Sequence, residues 1–149
     1  MNEMAVILDF MGTIASFSDL ERKVVAMPGS VKAIERLYEK DCEIFISSKA
    51  SCASIDAWIE ENNLGAQIYF SYGREDGSKE EHIQKIERYG DYEEIIFIAD
   101  MPEDFVFKTK TKVRKIAVNT TLPHELFPID VNIFEVPLTV KLVETIIRG

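Results

Sequence analysis

Apolar residues fall along this chain in two alternating patterns. In the first, short runs are almost continuously apolar: Met4 to Leu8, Cys42 to Ile46, Gln67 to Phe70, Ile95 to Ala99, Lys115 to Val118 and Val131 to Phe134. Such runs predict strands buried on both faces, most clearly in the first, second and fourth. In the second pattern apolar positions recur at helical spacing: Val31, Ile34, Leu37 and Tyr38; Cys52, Ile55, Trp58 and Ile59; His82, Ile83, Ile86 and Tyr89; and Leu138, Leu142, Val143, Ile146 and Ile147. Strands alternating with helices predict an α/β fold of right-handed βαβ units around a mainly parallel sheet.

The punctuation agrees. Pro28 and Gly29 stand at the start of the first helix, and Asn62, Asn63 and Gly65 close the second. No internal repeat, low-complexity tract or linker divides the 149 residues, so one domain over 1–149 is the expectation.

In an open parallel sheet, ligands bind beyond the carboxyl ends of the strands, where strand order reverses. The residues at those ends therefore matter most. They are Asp9 after the first strand, Ser47 and Ser48 after the second, and Asp100 after the fourth. Asp9 enters a tight turn, Asp9-Phe10-Met11-Gly12-Thr13, in which Gly12 supports the bend. A carboxylate placed there can attack phosphorus and divide one difficult displacement into two easier ones.

Phosphoryl transfer also needs positive charge on the transferring oxygens and a divalent cation between an anionic nucleophile and its anionic target. Mg²⁺ takes oxygen ligands and keeps several waters, so Asp9, Asp100, a backbone carbonyl at Met11 and waters suffice, with Asp104 one helical turn beyond Asp100. Ser47 offers a hydroxyl and amides at the expected start of a helix, where the dipole favours an anion. Lys79 opens the helix before the fourth strand and can bring its ammonium to the same crevice.

These residues carry a resemblance. Asp9 to Thr13 in VILDFMGTI, Ser47 in IFISSK, Lys79 in GSKEEHIQKI and the pair Asp100 and Asp104 in IIFIADMPEDF resemble the four motifs of the haloacid dehalogenase-like (HAD) superfamily, over Val6 to about Val118. The resemblance implies a Rossmann-like three-layer sandwich. It implies a nucleophilic role for Asp9, charge support from Lys79, and phosphate binding by Ser47, with Ser48, Gly12, Thr13 and Lys79 lining the same place. It implies Mg²⁺ held by Asp9, the Met11 carbonyl, Asp100 and Asp104. Most members are phosphatases, whose substrates are phosphorylated small molecules or macromolecules.

One position departs from the pattern. The phosphatases usually carry a second aspartate two residues after the nucleophile, which protonates the leaving group and later activates water; here that position is Met11. General acid–base catalysis contributes about 10²–10⁴-fold, so weak turnover is expected, or a catalytically impaired protein that binds phosphate or regulates. The intervals from Asp9 to Ser47 and from Ser47 to Lys79 are filled by a flap, helices and a strand. The resemblance is therefore to members without a cap domain, whose open sites accept large substrates or are covered by a second copy. Residues 15–27 are the expected local determinants of specificity.

Charge and composition narrow the field further. A net charge of −9 argues against nonspecific nucleic-acid binding and against anionic membrane surfaces. No apolar run approaches the roughly 18 residues of a span, and the N-terminus lacks the features of a secretory signal, so a cytoplasmic protein is expected. Cys42 and Cys52 fit no metal or redox spacing and are expected in the core; His82 and His124 have no partner at ligand spacing and are expected to be structural. A receiver-type phosphoacceptor would follow the third strand, where Phe70, Ser71 and Tyr72 stand, and the first turn lacks the GxGxxG of a dinucleotide site.

Overall fold

The computed structural model describes residues 4–148, and its sheet strands are the predicted apolar runs. Strands β1 (Met4–Leu8), β4 (Glu43–Ser47), β5 (Ile68–Tyr72), β6 (Glu94–Ala99), β7 (Val113–Ala117) and β8 (Val131–Ile133) form one sheet in the order β5-β4-β1-β6-β7-β8, with every neighbouring pair parallel. Helices α1 (Ser30–Glu39), α2 (Cys52–Glu61) and α3 (Lys79–Tyr89) alternate with β4, β5 and β6, only 3₁₀ turns separate β6, β7 and β8, and α4 (Val140–Arg148) follows β8. Between β1 and α1 the chain makes a small antiparallel hairpin, β2 (Ala15–Ser18) with β3 (Lys23–Ala26), in the expected flap.

Burial on both faces explains the unbroken apolar runs. Val6 and Leu8 of β1 join Ile44, Ile46, Ile96 and Ile98 beneath α1, α2 and α4, whereas Ala5 and Ile7 join Phe45, Phe97 and Ala99 beneath α3. Trp58 lies in the first layer, 1% exposed, with Phe10 edge-on to its ring at 5.4 Å. This is the α/β Rossmann-like sandwich that the sequence predicts. Cys42 is in the core as expected, but Cys52 is not: it begins α2, is half-buried, and its Sγ donates to Asp76 Oδ2 at 3.2 Å.

The topology fixes where a ligand would go. From β1 the chain builds outward through β4 to β5, then returns to the other side of β1 with β6. Strand order therefore reverses between β1 and β6, and the crevice lies beyond their carboxyl ends. Register places the side chains. Leu8 pairs with Ile46 on one side and with Ile98 on the other, so the next residue, Asp9, stands between the ends of β4 and β6; its amide donates to the Ile98 carbonyl at 2.9 Å.

Candidate functional site

After β1 the chain turns on the Phe10 carbonyl, which accepts from the amides of Thr13, Ile14 and Ala15 at 3.0–3.2 Å. Gly12 has φ +86°, a left-handed conformation open to glycine and strained for other residues. The turn keeps Asp9 and Thr13 buried and facing each other, with Thr13 Oγ1 3.5 Å from Asp9 Oδ2 and 3.4 Å from Asp100 Oδ1. Asp100 follows β6. Asp104 is brought back by a 3₁₀ turn, Pro102–Phe105, rather than by a turn of α-helix, and is buried.

Lys79 is the first residue of α3. Ser78 caps that helix, its Oγ accepting from Glu81 N while Glu81 Oε1 accepts from Ser78 N, a reciprocal arrangement that fixes the helix start. So positioned, Lys79 Nζ donates to Asp9 Oδ1 and to Asp104 Oδ1, each at 2.7 Å. Carboxylate oxygens of Asp9, Asp100 and Asp104 come within 4.8 Å of one another.

This cluster is electrostatically incomplete. Three carboxylates face one ammonium, which leaves two negative charges uncompensated when all are ionised. Burial raises the Asp9, Asp100 and Asp104 carboxyls above their ordinary range, and repulsion among the three adds to it; Lys79 opposes the rise. Burial alone would lower the Lys79 ammonium, but Asp9 and Asp104 outweigh it and hold it above its usual value. An all-oxygen donor set with excess negative charge suits a hard divalent cation of the Mg²⁺ type.

Ser47 ends β4 and is fully buried. It does not begin a helix, contrary to expectation: α2 starts at Cys52, with Ser51 as its cap and Ser54 N donating to Ser51 Oγ. The reason is register, because pairing with Tyr72 keeps Ser47 within the sheet. Ser48 is also buried and its groups are engaged locally, its amide donating to Tyr72 O and its Oγ accepting from Ala50 N. Met11, two residues after Asp9, is 40% exposed.

Two residues outside the expected site border it, one of them His82, expected only as a structural residue. His82 is fully buried and its Nδ1 lies 2.8 Å from Ser47 Oγ. It stands three residues after Lys79, hence on the same helix face, a spacing that could have identified it. Asn119, in a left-handed conformation just beyond β7, donates from Nδ2 to Gly12 O at 3.1 Å. The strand-end rule that found Asp9 and Asp100 finds Asn119 too, once applied to β7. His124 lies in a 3₁₀ turn, His124–Leu126, and is exposed.

No protein-family model and no curated protein matches the chain. Solved structures do. A D,D-heptose 1,7-bisphosphate phosphatase from B. bronchiseptica, complexed with magnesium and phosphate, superposes with a TM-score of 0.70 at 17% identity, over 99% of both chains. An uncharacterized protein from Listeria monocytogenes serotype 4b gives 0.69 at 12% identity over 97% of both. A HAD-superfamily (subfamily III A) hydrolase from Legionella pneumophila gives 0.61 at 18% identity, over 97% of this chain and 81% of that one. The chain thus has the fold of HAD-superfamily hydrolases, as its motifs predict. Among the described residues no helix is long and apolar enough to cross a membrane.

Proposed function

We propose that the protein is a Mg²⁺-dependent phosphohydrolase or phosphotransferase that works through Asp9, on a phosphorylated small molecule or macromolecule. The observation that carries this reading is the Asp9, Asp100, Asp104 and Lys79 cluster at the strand-order reversal. Asp9, Asp100, Asp104 and the Met11 carbonyl would hold the cation, which when bound neutralises charge between the carboxylate and the phosphoryl oxygens. A carboxylate oxygen of Asp9 forms a bond to phosphorus as the bond to the leaving oxygen breaks, and that oxygen departs with the electron pair. Water then attacks phosphorus, the bond to Asp9 breaks, and the carboxylate is restored with release of phosphate. Lys79 keeps Asp9 oriented and adds positive charge; Ser47 and the Gly12–Thr13 turn receive the phosphoryl oxygens, with Ser48 behind them.

Met11 sets the rate in this reading. A thioether neither protonates a leaving alkoxide nor activates water, so hydrolysis of the phospho-aspartate is slow for every substrate, and its formation is slow except with a leaving group that needs no proton. The chain acts as a single capless domain of the cytoplasm, and a second copy or the hairpin of residues 15–27 covers its open site. Release of phosphate from an aryl phosphate should require Mg²⁺ and vanish in Asp9→Asn. Activity that survives the substitution overturns the assignment.

A second reading, a catalytically impaired phosphate-binding or regulatory module, is favoured by the same Met11. It differs in one outcome: phosphate binds with Mg²⁺ but no phosphoester is turned over, even by Met11→Asp.

A further inference from the structure

The phosphate-binding role given to Ser47 has a hydrogen-bonding consequence. Its Oγ carries one hydrogen, and its nearest polar neighbour is His82 Nδ1 at 2.8 Å. If that hydrogen points at Nδ1, Ser47 presents only lone pairs to an incoming phosphoryl oxygen, which is repulsive. If Nδ1 carries a hydrogen and donates it to Oγ, the hydroxyl hydrogen is free to point at the phosphoryl group.

The surroundings of His82 favour the second arrangement. Burial keeps the imidazole below its ordinary range, against a smaller opposing pull from the carbonyls of Gly73 and Gly77 and from Asp76, so near pH 7 the ring is neutral and has one N–H. Nε2 is buried and makes no hydrogen bond among the described residues. A buried nitrogen acceptor without a donor is better tolerated than a buried N–H without an acceptor, which biases the hydrogen to Nδ1. The ring is also held in place, stacked on Tyr72 at 5.4 Å and 23°. Tyr72 in turn lies beneath Lys85 Nζ, which is fixed by the Asp76 carbonyl.

We infer that His82 is a positioning residue: its Nδ1–H donates to Ser47 Oγ and turns the serine hydroxyl hydrogen toward a bound phosphoryl oxygen. The inference rests on the proposed phosphate-binding role of Ser47. It also gives α3 a double task. One turn of helix presents Lys79 to the nucleophile and His82 to the phosphate-binding serine, so the two move together.

The test is binding of inorganic phosphate to the full chain in the presence of Mg²⁺, measured by calorimetry. His82→Phe keeps the ring stacked on Tyr72 but removes the donor, and should weaken binding about tenfold, the effect of misdirecting one hydrogen bond to a charged group. His82→Asn restores an N–H near the Nδ1 position and should stay within about threefold of the parent, on the same ground. In a Ser47→Ala background His82→Phe should cost nothing further. Nitrogen-15 spectra of the unaltered protein with phosphate bound should show Nδ1 protonated, a readout independent of how the variants fold. The inference is overturned by a bare Nδ1, by His82→Phe binding like the parent, by an equal loss in the Ser47→Ala background, or by a parent chain that takes up no phosphate. Turnover surviving in Asp9→Asn would instead defeat the nucleophilic reading and leave these binding ratios unchanged.

Discussion

Gly12 approaches Asp100 so closely that a methyl group added at its Cα would lie 2.1 Å from Asp100 Oδ2. The nucleophile turn and the candidate cation ligand on β6 are therefore packed as one unit, and the absence of a side chain at position 12 is what permits it. Gly12→Ala meets two obstacles, the carboxylate and the φ of +86°. Backbone strain of this kind costs about 1–3 kcal/mol. Chemical denaturation should show a loss of that order, and Mg²⁺ titration should show affinity reduced about tenfold or more as Asp100 is displaced, a fall of about 1.4 kcal/mol.

Asp100 should be more valuable to function than to stability. Burial first, and the charge of Asp104 next, raise its carboxyl above the ordinary 3.8. A raised pKa means that the folded protein binds the proton more tightly than the unfolded one, so the metal-free fold loses stability as pH rises from about 3.8 through the folded-state value. At pH 7 with a chelator present, Asp100→Asn should melt about 2–4 °C higher than the parent, the shift that about 1 kcal/mol produces at this size. Adding Mg²⁺ should stabilise the parent and not the variant. Thermal melts in the two conditions check both halves.

The central architecture was legible because β1, β4 and β6 are buried on both faces and so read as unbroken apolar runs. The edge strand β5 read less sharply, since Tyr69 and Phe70 are about half exposed and no alternation marks one face. The hairpin of β2 and β3 read only as a flap, because Phe17, Leu20 and Lys23 face solvent and its strands bury little. At the site, Asp9 and Asp100 are legible from their place at strand ends, and Lys79 from its place at a helix start. Ser47 is legible from the same place at a strand end; only the helix start expected there is missing, because the sheet continues one residue past the apolar run Cys42 to Ile46 and the helix begins at Cys52. The bond between Ser47 and His82 joins residues 35 apart, and helical periodicity reports only that His82 faces inward, not what it meets there.

Met11 is the position at which chemistry and the HAD pattern part. Placing an acid there should restore protonation of the leaving group and activation of water. Met11→Asp should raise hydrolysis of alkyl phosphates by about 10²–10⁴-fold while changing aryl phosphates little in their first step, because a phenolate departs without help. Met11 is 40% exposed, so a carboxylate there keeps contact with water and should leave the fold intact. Release of the alcohol or phenol in the first turnover, followed by rapid quench, measures the difference.

A nucleophile without its usual acid should hold on to what it receives. Brief incubation of the full chain with an aryl phosphate and Mg²⁺, followed by an acid quench and mass analysis of the peptide that contains Asp9, tests this most directly. The expected result is a phosphoryl group on Asp9 that requires Mg²⁺, builds up before steady-state release, and is lost in Asp9→Asn. Phosphate released with no label on that peptide, or released as fast by Asp9→Asn, would contradict it.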